Sequence, residues 1–232
     1  LYDTDYSGSG GESAGLWIRT SLMDGGNHNN EGNTPPYLNA IEREMLGICS
    51  PIRIDSDGSY SLGPIEQTNT VYRLDTDNED EYYLLECRSG DGWDAHIGGK
   101  GLLVYHIDRS DRTSGYSDSY NRNLKASERW GFANEVNCRP DHQCADLLEA
   151  DGRNDIFSDI LPTDISTIFF PHNGITSIIP DGVPGFRFWS GKLGAAKLSD
   201  IRWEDGKIIF NISGISENKV PPGVSAVEIE TF

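Results

Sequence analysis

The chain holds 232 residues, 36% hydrophobic and 10% aromatic, enough for one sizeable core or a domain with a smaller lobe attached. With 19 basic against 37 acidic residues its formal net charge is −18, which counts against nucleic acid and anionic membrane surfaces as partners. No stretch nears the roughly 18 apolar residues of a membrane span, and 26 Gly with 11 Pro indicate a loop-rich but not low-complexity chain.

Glycines at Gly8, Gly10, Gly11, Gly15, Gly25, Gly26 and Gly32 break any periodicity in the opening loop, apart from the apolar island Leu16-Trp17-Ile18. A helix is predicted over Pro35–Leu46, capped by Thr34, with Pro35 in its first turn and Gly47 as its stop. Its apolar face is Tyr37, Leu38, Ile41 and Met45, with Asn39, Glu42 and Arg43 turned away. Short β-runs follow. Pro51–Ile54 and Ser59–Leu62 flank Asp55-Ser56-Asp57-Gly58, a hairpin signal, and Val71–Leu74 is a further strand.

Tyr82–Cys87 and Leu102–Ile107 are continuous apolar runs, suited to central strands covered on both faces. Residues 109–140 read as a long polar excursion, and Leu147–Ala150 is either a strand or a helix end. After an irregular, proline-broken stretch, Lys197–Trp203 and Lys207–Ile212 bracket Asp205-Gly206 as a hairpin, with Ile208, Phe210 and Ile212 on one face. The fold class expected is α+β, mainly β.

Four cysteines occur, Cys49, Cys87, Cys138 and Cys144, and none forms a C-x-x-C pair. Spacing makes Cys138 and Cys144 the readiest disulfide candidates; free buried thiols are the alternative. The histidines His28, His96, His106, His142 and His172 include no H-E-x-x-H, and there is neither a G-x-S-x-G elbow nor a phosphate-binding glycine loop. No local motif supports catalysis by these residues alone.

A broader pattern is present. Leu1-Tyr2-Asp3-Thr4-Asp5 leads into glycine-rich loop, then Gly15-Leu16-Trp17, then Ser21-Leu22-Met23-Asp24-Gly25-Gly26. Pro35-Pro36-Tyr37-Leu38, Glu42-Arg43-Glu44, Leu46-Gly47, the runs Glu81–Arg88 and Gly101–Asp108, and Glu149-Ala150-Asp151-Gly152 follow in order. Together they resemble the immune inhibitor A family of secreted zinc metalloproteases, a likeness covering most of residues 1–212.

The resemblance implies a metzincin-like catalytic domain in which two histidines and a glutamate base of an H-E-x-x-H helix precede the Tyr-Asp-Thr segment. The histidines would hold zinc, and the glutamate would act on its water. Met23, with Asp24 and Gly25, would form the Met-turn, a non-ligating floor beneath the metal; an ordinary core methionine is the plain alternative. This implies residues 1–50 as the C-terminal part of the catalytic domain, 51–213 as a β-rich, sandwich-like lobe and 214–232 as tail or linker. It places the zinc ligands upstream of Leu1, with no catalytic or zinc-binding residue here. The partners it implies are the N-terminal half of that domain and protein or peptide substrates, in a secreted or cell-envelope location.

Asp75, Asp77 and Glu79 alternate as calcium ligands do, although Asp80 stands where an EF-hand requires Gly; a solvated acidic turn is the plain alternative. His106 and Asp108 share a strand face and suit a carboxylate–imidazole pair or a polar network at the end of a buried strand. Trp93 reads as a packed loop anchor or a binding-surface aromatic. The rival to a protease is a non-catalytic extracellular β-rich binding module that uses calcium.

Overall fold

The computed structural model describes residues 19–23, 25–111, 116–117, 123–133, 136–137, 142–152 and 165–215. In chain order these form α1 (Ala40–Met45), β1 (Ile52–Arg53), β2 (Gly58–Leu62), α2 (Ile65–Thr68), β3 (Tyr72–Asp75), β4 (Glu81–Arg88) and β5 (Gly101–Asp108). Then come β6 (Tyr116–Ser117), β7 (Asn123–Leu124), α3 (Ala126–Glu128), β8 (Ala145–Leu147), β9 (Lys197–Glu204) and β10 (Lys207–Ser213). Strand outweighs helix, as an α+β, mainly β chain requires.

Two sheets carry the fold. The larger has the order β1-β3-β4-β5-β8, antiparallel except for β1 beside β3; the smaller is β2-β10-β9, and β6 pairs β7 apart from both. Strands β4 and β5 form the axis, paired without a break from Glu81↔Asp108 to Arg88↔Gly101. Alternate side chains point to opposite faces. Leu84, Leu103, Tyr105 and Ile107 therefore join Ala40 and Ile41 of α1 in one core. Tyr83, Leu85, Leu102 and Val104 meet Leu62, Ile208, Phe210 and Ile212 of the small sheet in another. Every residue of β4 and β5 is buried, which is why both segments read as largely apolar runs.

The predicted helix is real but shorter. It begins after Asn39, whose side chain accepts from Glu42 N while the Glu42 carboxylate accepts from Asn39 N, a reciprocal capping box. Thr34, the expected cap, instead bonds His96 Nδ1 at 2.9 Å. Local capping by Asn39 outweighs the proline signal, since Pro36 also pushes Pro35 toward extended backbone. Gly47 ends the helix as expected, at φ +67° with Ile48 N donating to Arg43 O. The expected faces are partly exchanged: Asn39 and Glu42 are buried, whereas Met45 is 41% exposed.

The hairpin expected at Asp55–Gly58 does not form. β1 pairs with β3, and β2 pairs with β10, so the turn carries the chain from one sheet to the other. A turn motif specifies reversal, not which strand will hydrogen-bond to its neighbour. The later hairpin does form: Asp205 and Gly206 both take positive φ between β9 and β10, and Ile208, Phe210 and Ile212 are buried together. Of the run left open at Leu147–Ala150, only Leu147 is strand, the last residue of β8; the rest is neither strand nor helix.

Candidate functional site

Chemistry-bearing side chains gather at the two opposite ends of β4 and β5, about 23 Å apart by strand rise. At the end marked by Arg88 lies the turn that holds Met23. Gly26 N donates to Ser21 O at 2.9 Å to close it. Glu42 Oε1 accepts from Ser21 Oγ at 2.9 Å and from Met23 N at 3.3 Å, so the helix cap also clamps the turn. Met23 is 49% exposed. Gly25 is part-buried beside it; Asp24 lies outside the described residues.

Beneath this turn is a fully buried charged node. Arg88 donates to both oxygens of Asp94, at 2.6 and 2.7 Å, and to Glu86 Oε1 at 3.2 Å. Its remaining hydrogens reach Tyr37 O and Thr20 O. Burial alone opposes the guanidinium charge, but the Glu86 and Asp94 carboxylates outweigh it and hold Arg88 cationic. Glu86 is raised by burial despite Arg88 and the Tyr105 hydroxyl, while its second oxygen takes Ala40 N at 2.6 Å. The node ties α1, β4 and the Gly92–His96 turn into one unit.

At the other end, Trp189 lies parallel to two imidazoles, with ring centres 3.9 Å from His142 and 5.5 Å from His106. His106 in turn stacks on Tyr83 at 4.4 Å. Each imidazole meets a carboxylate: His106 Nε2 lies 2.8 Å from Glu81 Oε1, and His142 Nε2 lies 2.7 Å from Asp108 Oδ2. Glu81 also accepts from Trp189 N. Hence His106 and Asp108 do not pair with each other. They form instead the polar network at a buried strand end. Burial opposes ionisation of Asp108, yet hydrogen bonds from His142 and Ser110 prevail and hold it below the usual carboxylate range.

Asp108, His142 and Cys144 each place one ligand atom within 4.8 Å of the others. Carboxylate, imidazole and thiolate are donors that zinc takes, and the geometry does not select zinc over another cation. Protein partners already engage these atoms: Asp108 Oδ2 meets His142 Nε2, and Arg129 Nη2 donates to Cys144 Sγ at 2.9 Å. No such group lies beside Met23 among the described residues, so no zinc chemistry is assigned to the turn.

The remaining expectations fall in several places. Asp75 bonds Arg73 at 2.6 Å and faces Arg53, Asp77 bonds Lys192 at 2.7 Å, and the Glu79 carbonyl takes Arg73; the three do not appear as a metal-holding group. Cys49 and Cys87 are buried free thiols, and burial pushes Cys87 up to about 12. Cys138 lies outside the described residues, and with it the Cys138–Cys144 pairing. Trp93 is 49% exposed rather than packed. Missed from sequence were Glu81, His142, Asp146 and Trp189. For Trp189 the cue was the aromatic run Phe186, Phe188, Trp189 inside a stretch that reads only as glycine- and proline-broken loop.

No helix among the described residues is long and apolar enough to cross a membrane. Compared with protein-family models, curated proteins and solved structures, the chain gives no match.

Proposed function

We propose that this chain supplies the Met-turn and the β-rich lobe of a secreted zinc endopeptidase of the immune inhibitor A type. The observation that carries this reading is Met23: its backbone is clamped by Glu42 over a rigid buried node while its side chain stands half-exposed. A methionine held this way suits a floor presented to another part of the protein. Ser21-Leu22-Met23 followed by Gly25-Gly26 stands where the resemblance expects such a turn.

On this reading the zinc-binding histidines and the general base lie outside these 232 residues, because no H-E-x-x-H occurs within them. The role of this chain is then positional. Glu42 and Gly26 set the height of the turn, and the Arg88–Asp94–Glu86 node keeps it from moving under the metal.

Expression of the protein at the full length of its gene tests this directly. Bound zinc and casein cleavage abolished by a chelator are the expected results. A full-length product with neither zinc nor cleavage rejects the reading and leaves a β-rich binding module in its place.

A further inference from the structure

The end of the sheet remote from Met23 contains a cavity of about 450 Å³, within the size range of sites that hold a residue-sized ligand. Tyr83, His106 and Asp146 form its floor, and Leu148, Val183, Pro184 and Leu193 supply apolar wall. Asp146 sits opposite His106 in the β5–β8 register, so its carboxyl points to the same face. Burial pushes it up to about 6, with His106 and the Leu147 amide pulling the other way.

Two basic side chains share the lining, and each has an acceptor other than Asp146. His106 Nε2 belongs to Glu81 at 2.8 Å, and the exposed Arg187 turns its Nη2 toward Gly182 O. Asp146 takes no side-chain hydrogen bond among the described residues. Trp189, in the same wall, has a buried indole Nε1 with no acceptor among the described residues. Among the described residues the cavity thus offers a carboxylate with no side-chain hydrogen bond, an N–H lacking an acceptor, and apolar wall.

We infer that this cavity binds a peptide-borne lysine or arginine side chain, its cationic end on Asp146, its aliphatic stem along Val183 and Leu193, and a backbone carbonyl on Trp189 Nε1. The stem of such a side chain packs on apolar surface while its head seeks charge. A simple amine satisfies the first demand and not the third, which favours the peptide. The inference stands apart from the peptidase reading, since it needs neither zinc nor hydrolysis.

Calorimetric titration of the whole chain at neutral pH and low salt, with Nα-acetyl-lysine methylamide as probe, tests it. Nα-acetyl-norleucine methylamide, which lacks the charge, and n-butylamine, which lacks the carbonyl, serve as controls. Saturable binding of the lysine amide is expected, with both controls weaker by about tenfold or more. Asp146→Asn should weaken it by a similar factor. Val183→Trp, at the exposed mouth, should block binding with the carboxylate intact and the circular dichroism unchanged, which keeps the test open if Asp146→Asn fails to fold. Norleucine amide binding as well as lysine amide, a folded Asp146→Asn protein of unchanged affinity, or no heat of binding up to millimolar probe each overturns the inference.

Discussion

The Glu42 carboxylate accepts the backbone N–H of Met23 at 3.3 Å from across the fold, while its other oxygen accepts that of Asn39 at 3.0 Å from its own helix. One side chain thereby makes the capping of α1 and the shape of the Met23 turn a single structural event. Losing it strips two structures at once.

Glu42→Ala is therefore expected to cost about 2 kcal/mol in urea denaturation, since a cap and buried donors lose their acceptor together. Glu42→Gln, which keeps one acceptor oxygen, should recover part of that. Amide exchange at Met23 should quicken in step with the loss of stability. Unchanged exchange in Glu42→Ala would show the turn to be held by something else.

Gly26 is required for lack of room. A Cβ there would sit 2.5 Å from Ser21 O and 2.6 Å from Pro36 Cγ, both in the turn's own wall. Gly26→Ala should displace the turn and lower the melting temperature, whereas Gly47→Ala meets no atom and suffers only its positive φ, roughly 1 kcal/mol. Thermal melts of the two variants side by side should show Gly26→Ala clearly the worse.

Arg88→Met leaves Glu86 and Asp94 buried without their cation and should destabilise by about 3–5 kcal/mol, enough to unfold a marginal domain. Arg88→Lys should rescue little, because an ammonium cannot reproduce the forked bonding to both Asp94 oxygens. Denaturant midpoints of the two variants settle the point; near-native stability in either would mean the node tolerates a point charge or none.

Two aspartates should act on stability in opposite directions with pH. Asp146 has a folded pKa raised from 3.8 to about 6, so its contribution is intact below the lower value and lost as pH climbs through the upper one. Asp146→Asn should gain on the parent between pH 4 and 7, by on the order of 1–2 kcal/mol. Asp108 is held low, so what it contributes is present above the ordinary aspartate range and lost as pH falls below it. Asp108→Asn should accordingly narrow its deficit in acid. Chemical denaturation at several pH values checks both signs.

Much of the strand framework was legible because apolar runs and alternation report burial directly. Tyr82–Cys87 and Leu102–Ile107 are apolar on both faces apart from Glu86 and His106, as a doubly covered strand requires. The Asp205-Gly206 hairpin was equally plain, since its turn residues and flanking alternation agree. The Asp55–Gly58 turn misled because its two arms are hydrogen-bonded to distant strands, a choice made by the face each arm buries. Glu42 was placed on solvent by helical spacing, which carries no information about acceptors needed by a turn that precedes the helix in the chain.

The site at Trp189 was harder still. His106 and Asp108 drew notice by spacing, but their partners Glu81 and His142 come from other segments. Only the sheet register brings Glu81, His106, Asp108 and Asp146 to one end of one face. Pairings of that kind are a property of topology and leave no mark in local sequence.

The register Leu62↔Ile208 has a consequence for how the protein is made. β2 leaves the ribosome long before its partner β10, so the sheet face bearing Tyr83, Leu85 and Val104 stays bare until β10 follows. Such a nascent chain invites chaperone capture, and premature termination before Lys197 would release a sticky half-sandwich.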